Sequence, residues 1–160
     1  MACSTRFPAS IGIGANARVA LGAMVVVLLT GISPASAAEL RVVINGVRSD
    51  DGRLMVDVYA TEEKYRANAG NGNGDYRTDV TARQGSVTAV LTNVPPGRYG
   101  ATVIHDENAN GKLDTNFLGI PREGVGASNN AKGSFGPPSF TDMVFAVSDP
   151  DGTITINLDY

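Results

Sequence analysis

The sequence predicts an all-β domain, an antiparallel β-sandwich of six to seven strands carrying one long ordered loop, and three observations lead there. Apolar residues alternate with polar ones in short runs. Clusters of Gly, Pro, Asn, Asp and Ser punctuate those runs. No long stretch carries the 3.6-residue apolar repeat of an amphipathic helix.

Of the 160 residues, 13 are Lys or Arg and 16 are Asp or Glu, for a formal charge of −3, with one Cys and no Trp. The first 37 residues read as an export leader. Val19–Ile32 is apolar over the length of a signal-peptide core and falls short of the roughly 20 residues of a membrane span. Arg6 and Arg18 precede that run, Pro34 ends it, and Ala35 and Ala37 supply an A-x-A box that places cleavage after Ala37. Cys3 lies before the apolar core, so it is no lipoprotein acylation site and departs with the leader. Residues 38–160 then hold 11 basic and 16 acidic side chains, a charge of −5, and no cysteine. Disulfides, thiol chemistry and a basic nucleic-acid surface are excluded. The expected location is the periplasm or the medium, with no integral membrane segment after cleavage.

In chain order, Leu40, Val42 and Ile44 alternate along a first strand, Ser49–Gly52 reads as a turn, and Arg53–Ala60 returns as the second arm of a hairpin. Leu54, Val56 and Val58 share one face of that arm, and Met55, Asp57 and Tyr59 the other. Thr61 is placed to cap one helical turn through Glu62 and Glu63, and the glycine-rich Arg66–Tyr76 reads as a mobile surface loop. Arg77–Thr81 is a candidate seventh strand. Ser86–Thr92 and Tyr99–His105 form a second expected hairpin about the Val94–Arg98 turn. Thr141–Val147 and Thr153–Asp159 are the last two strands, joined at Ser148–Gly152. Ile154, Ile156, Leu158 and Tyr160 alternate as in an outer-membrane barrel, but a barrel needs at least eight strands of about ten residues with aromatic girdles. The short strands and the absence of Trp exclude it.

Residues 106–140 show neither strand nor helix periodicity, and a loop this long is functional or disordered. Phe117, Leu118, Ile120, Phe135 and Phe140 call for burial, so the loop is expected to be ordered and packed over one end of the sandwich. It opens with Asp106-Glu107-Asn108-Ala109-Asn110-Gly111-Lys112-Leu113-Asp114, the D-x-N-x-N-G-x-x-D spacing of a calcium loop. Side-chain oxygens of Asp106, Asn108 and Asn110 curl around a hard cation, Gly111 makes the reversal, Lys112 offers its carbonyl, Asp114 closes the shell and Leu113 tucks inward. Position 12 is Phe117 instead of the usual glutamate, which leaves Asp106 and Asp114 as the loop's carboxylates and an expected affinity on the order of 10⁻⁴ to 10⁻³ M; Glu107, Glu123 and Asp142 are candidates to complete the shell from elsewhere. The alternative is an Asx-rich turn that needs no ion.

His105, the one histidine, adjoins Asp106 and is read as a structural tie between loop and sheet. The rival reading is an envelope hydrolase with His105 as general base beside Ser128, Ser134 or Ser139, or a carboxylate. No G-x-S-x-G or H-E-x-x-H motif accompanies it. Tyr65 and Tyr76 flank the glycine-rich loop, where a partner could touch them.

The run from His105 to Pro121, then Glu123-Gly124, Ser128-Asn129-Asn130-Ala131 and Gly136-Pro137-Pro138-Ser139-Phe140, resembles the signature of the bacterial domain of unknown function 2141 family. Val125 and Ala127 stand where that pattern has aromatics. The Pro95–Tyr99 turn is similar to those of prealbumin-like and carboxypeptidase-regulatory-like sandwiches. The resemblance implies an exported immunoglobulin-like or prealbumin-like sandwich with no activity attached. Together these readings predict a non-catalytic module of the bacterial cell envelope, calcium-stabilised, whose partner is an envelope protein or a glycan.

Overall fold

The computed structural model describes residues 38–134, 136–148 and 151–160. The expected leader, its cleavage point, Phe135 and the Asp149-Pro150 part of the last turn lie outside the described residues. In chain order the elements are β1 (Ala38–Val47), β2 (Arg53–Tyr59), α1 (Glu62–Asn68), β3 (Tyr76–Thr81), β4 (Gly85–Val94), β5 (Gly97–Asp106), β6 (Gly124–Ala127), a 3₁₀ turn (Ser128–Asn130), α2 (Phe140–Met143), β7 (Phe145–Val147) and β8 (Asp151–Asn157). One sheet runs β4-β1-β8 and the other β3-β2-β5-β6, with β7 paired to the start of β5. The protein is an all-β sandwich, and the seventh strand expected at 77–81 is present as β3.

Neither expected hairpin forms. β1 pairs with β4, and β2 pairs with β3 and β5, so the Ser49–Gly52 and Val94–Gly97 turns carry the chain from one sheet to the other. Pro95 and Pro96 have no N–H to extend a ladder, and Gly52, at φ 63°, reverses the chain between layers. β8 lies parallel to β1, with Ile44 opposite Ile156, so one pair in an otherwise antiparallel fold is parallel.

The core sits between the layers. Leu40, Val42 and Ile44 from β1 meet Leu54, Val56 and Val58 from β2, Ala101 and Val103 from β5, and Ile156 from β8. Each buried Val, Leu or Ile side chain among them stabilises by about 1.5–3 kcal/mol. The outer face of β2 is also covered, because Tyr59 packs with Tyr65 of α1, Ala127 and Met143 in a second cluster. Thr61 caps α1 by accepting from the Lys64 N–H at 3.2 Å, and the helix runs on to Asn68.

The glycine-rich stretch after α1 is tied down. The Gly70 carbonyl accepts from the Leu113 N–H at 2.9 Å, the Gly72 carbonyl accepts from Arg77, and the Gly74 N–H reaches Asp57 at 2.9 Å. Leu113 is partly buried at that junction, against Gly70. The 106–140 segment likewise contains β6 and the 3₁₀ turn, so the strandless stretch shortens to 107–123. Its apolar residues depart from expectation most: Phe117 is 95% exposed, Leu118 68% and Ile120 55%. Phe140 is half-buried against Tyr65.

Candidate metal centre at the end of β5

Register builds the site. Arg53 at the start of β2 stands opposite Asp106 at the end of β5, a cross-strand pair of opposite charge. Asp106 is fully buried and Arg53 donates from Nε to its Oδ2 at 3.0 Å. The backbone then turns back over the carboxylate, with Ala109 and Gly111 at φ 57° and 84°. That winding aims the Asn110 N–H at Asp106 Oδ1 (2.9 Å) and the Gly111 N–H at Oδ2 (2.8 Å).

Above Asp106 the alternate side chains converge. Asn108 and Asn110 both donate from Nδ2 to Asp114 Oδ2, at 2.6 and 3.0 Å. Their Oδ1 atoms accept from the Asn110 and Lys112 N–H groups, each at 3.0 Å. An amide or carboxylate oxygen has two acceptor positions. The Oδ1 atoms of Asp106, Asn108 and Asn110 therefore each keep one open after these bonds, which is the kind of donor set a hard cation takes. The residues present fit calcium on that count, with Arg53 as a competing positive charge on Asp106.

The three candidate side chains for completing the shell serve other purposes. Glu123 is buried and clasps both ends of the loop, accepting from the Glu107 N–H at 3.1 Å and the Asp114 N–H at 2.9 Å. Glu107 holds Arg48 through two hydrogen bonds of 2.7 and 2.5 Å. Asp142 accepts from the Ser139 hydroxyl at 2.7 Å at the start of α2. Among the described residues no group of three or more His, Cys, Asp or Glu side chains is placed to hold a metal. The donor set is thus amide-rich, with two carboxylates. An open polar cleft of about 890 Å³ adjoins the loop, lined among others by Arg48, Asp51, Glu107, Asn108, Asp114 and Arg122.

Hydrogen bonding to Arg48 holds the Glu107 carboxyl below its usual range. A depressed folded-state pKa contributes stability that is present above the unfolded value and is lost as pH falls through the folded one. Replacing Glu107 with Gln is therefore expected to flatten the stability profile below about pH 4.5, leaving the neutral limb lower by roughly 0.5–1 kcal/mol because the pair is partly solvated. Urea midpoints measured from pH 7 to pH 3 check this.

His105 is fully buried, with Nε2 2.8 Å from the Asp51 carbonyl and Nδ1 2.8 Å from the Tyr160 hydroxyl. A carbonyl only accepts, so Nε2 carries the proton and Nδ1 accepts from Tyr160. The Tyr160 ring lies over Gly124, where a Cβ would approach it to 2.5 Å, and Arg48 stacks on that ring at 4.2 Å. The serine–histidine pairing of the hydrolase reading is not assembled. Ser128 is buried and accepts from the Ala101 N–H at 3.0 Å, Ser139 caps α2, Ser134 is exposed, and both His105 nitrogens are engaged elsewhere.

Residues 42–155 match a family described as an uncharacterized protein conserved in bacteria, DUF2141. The chain belongs to this DUF2141 family. No curated protein and no solved structure matches it.

The match includes the whole 106–123 loop and the Ser128-Asn129-Asn130 run of this DUF2141 chain. Asn129 and Asn130 adopt φ of 58° and 52°, left-handed values that asparagine tolerates. Asn129 donates to the Asp142 and Val144 carbonyls at 3.0 Å each, and Asn130 accepts from the Asn157 N–H at 2.9 Å. The Ser-Asn-Asn run is thus a staple joining β5, α2 and β8. Sequence reasoning found the loop by its spacing and missed Arg53, Arg48 and Tyr160, whose roles arise from strand register and contacts between residues far apart in the chain, which a single sequence does not display.

Proposed function

We propose that this DUF2141 protein is a non-catalytic, exported module of the bacterial cell envelope, a binding or structural protein whose 106–114 loop is closed by a calcium ion. The leader-like segment at 1–37 supports export. The observation that carries the calcium reading is the convergence of Asn108, Asn110 and Asp114 above a buried Asp106. These four side chains, with the Lys112 carbonyl, would hold the ion. Bound there, calcium supplies a charge that draws the loop oxygens together and neutralises Asp114. Arg53, on the same carboxylate as the ion, keeps affinity low, which suits extracellular calcium. The stiffened loop then presents one wall of the cleft to an envelope protein or glycan.

Melting the 38–160 chain in chelator and in 10 mM calcium tests the reading. With a dissociation constant near 1 mM the gain is about 1.4 kcal/mol, a rise of roughly 5 °C for a domain of this size. Asp114→Ala should abolish most of that rise. An equal rise in the variant, or none in the parent, overturns the calcium assignment.

A further inference from the structure

Phe117, Leu118 and Ile120 are the three most exposed large hydrophobic residues among those described, and they sit together on one turn. The turn is folded tightly. Asn116 donates its N–H to the Ile120 carbonyl at 2.8 Å, and its own carbonyl accepts from Gly119 at 3.0 Å. Its side-chain Oδ1 accepts from the Leu118 and Ile120 N–H groups at 2.9 and 3.0 Å. A bridge between Thr115 and Pro121 closes the base, and Gly119 supplies φ 78°.

From this geometry we propose that the 115–121 tip is a membrane anchor that enters the headgroup–acyl boundary of an anionic phospholipid bilayer. Three observations select a bilayer as the occupant. The N–H groups of Asn116, Leu118, Gly119 and Ile120 already have partners inside the turn, which lowers the cost of moving the tip from water to the interface, where the Phe117 N–H can still meet a headgroup oxygen. The apolar side chains stand on a projecting turn, which a fluid interface accommodates without a matching hollow. No acidic residue lies between Thr115 and Pro121, whereas Lys112 and Arg122 beside the turn are exposed and form no ion pair among the described residues, leaving two cations for lipid phosphates.

The chain has no tryptophan, so Phe117→Trp makes the tip its single indole reporter. The test is run in chelator, so that it stands or falls apart from the calcium reading. Vesicles of phosphatidylcholine with 30% phosphatidylglycerol (roughly the anionic fraction that makes a surface potential felt) should shift the indole emission of the Phe117→Trp variant to the blue and sediment the protein. Phe117→Ser should weaken sedimentation by about tenfold or more with an unchanged melting temperature, since the side chain is solvent-exposed in the free protein. Arg122→Gln should weaken binding to the anionic vesicles several-fold. The proposal is overturned if emission is unmoved by vesicles, if Phe117→Ser binds as the parent does, or if the blue shift appears without lipid as protein concentration rises, which would make the tip a self-association surface. It is equally overturned if a protease-sensitive envelope component, and no vesicle, is retained in a Phe117-dependent way.

Discussion

Asp106→Ala is expected to lower the unfolding free energy of the domain by about 3 kcal/mol in chelator, and by more in calcium, where the ion's contribution is lost as well. The carboxylate is fully buried and accepts from the Asn110 and Gly111 N–H groups and from Arg53. Removing it strands the Gly111 N–H, leaves the Asn110 N–H with Asn108 Oδ1 alone, and leaves a guanidinium beside an uncharged cavity. Each hydrogen bond to a charged group is worth about 1.5–3 kcal/mol, and the figure sits below the three-bond sum because Arg53, at 35% exposure, regains water and keeps Asp79 at 3.6 Å, and the Asn110 N–H keeps Asn108. The double variant Arg53→Met/Asp106→Ala should be less destabilised than the sum of the two single changes, because the second removes the charge the first orphans. Urea unfolding of the four chains gives the coupling energy directly. A loss below about 1 kcal/mol for Asp106→Ala, less than one such hydrogen bond, would mean that the loop does not depend on its first residue.

Gly52→Ala is expected to cost about 3 kcal/mol or more. Gly52 holds φ 63°, which penalises an L side chain by roughly 1–2 kcal/mol. A Cβ there would also lie 2.0 Å from the Asp106 carbonyl oxygen and 2.8 Å from the Glu107 carbonyl, both backbone atoms that cannot rotate away. Overpacking of this kind adds about 1–3 kcal/mol. Gly85 provides the comparison, since it has φ 101° and nothing within 4 Å, so Gly85→Ala should show only the conformational part, about 1–2 kcal/mol. Equal losses at the two glycines would contradict the close approach of the β1–β2 crossing to the 106–114 loop.

Gly52 also shows what the sequence could and could not display. Ser49–Gly52 was legible as a turn because Asp and Gly favour one, but a turn does not state which sheet the next strand joins. The two strands about it alternate correctly, with Leu40, Val42 and Ile44 facing Leu54, Val56 and Val58 across the core, and that is compatible with a hairpin or with a crossing. The loop spacing was legible for a different reason: the Asp106–Asp114 geometry is local, set by residues within one reversal. Arg53 was not, since its tie to Asp106 depends on β2–β5 register across more than fifty residues. Phe117, Leu118 and Ile120 read as core because apolar side chains leave water. Hydrophobicity says nothing of what they leave it for, and the Asn116 turn holds them outward.

Direct titration of calcium into the 38–160 chain, beside an Arg53→Met variant, tests the central claim most closely. The account predicts one site with a dissociation constant on the order of 10⁻⁴ to 10⁻³ M. In Arg53→Met it predicts tighter binding, since the competing guanidinium is gone and a buried carboxylate awaits a cation. Absence of binding in both proteins at 10 mM calcium, about tenfold above that range, would contradict it and leave the loop as a self-sufficient Asx-rich turn.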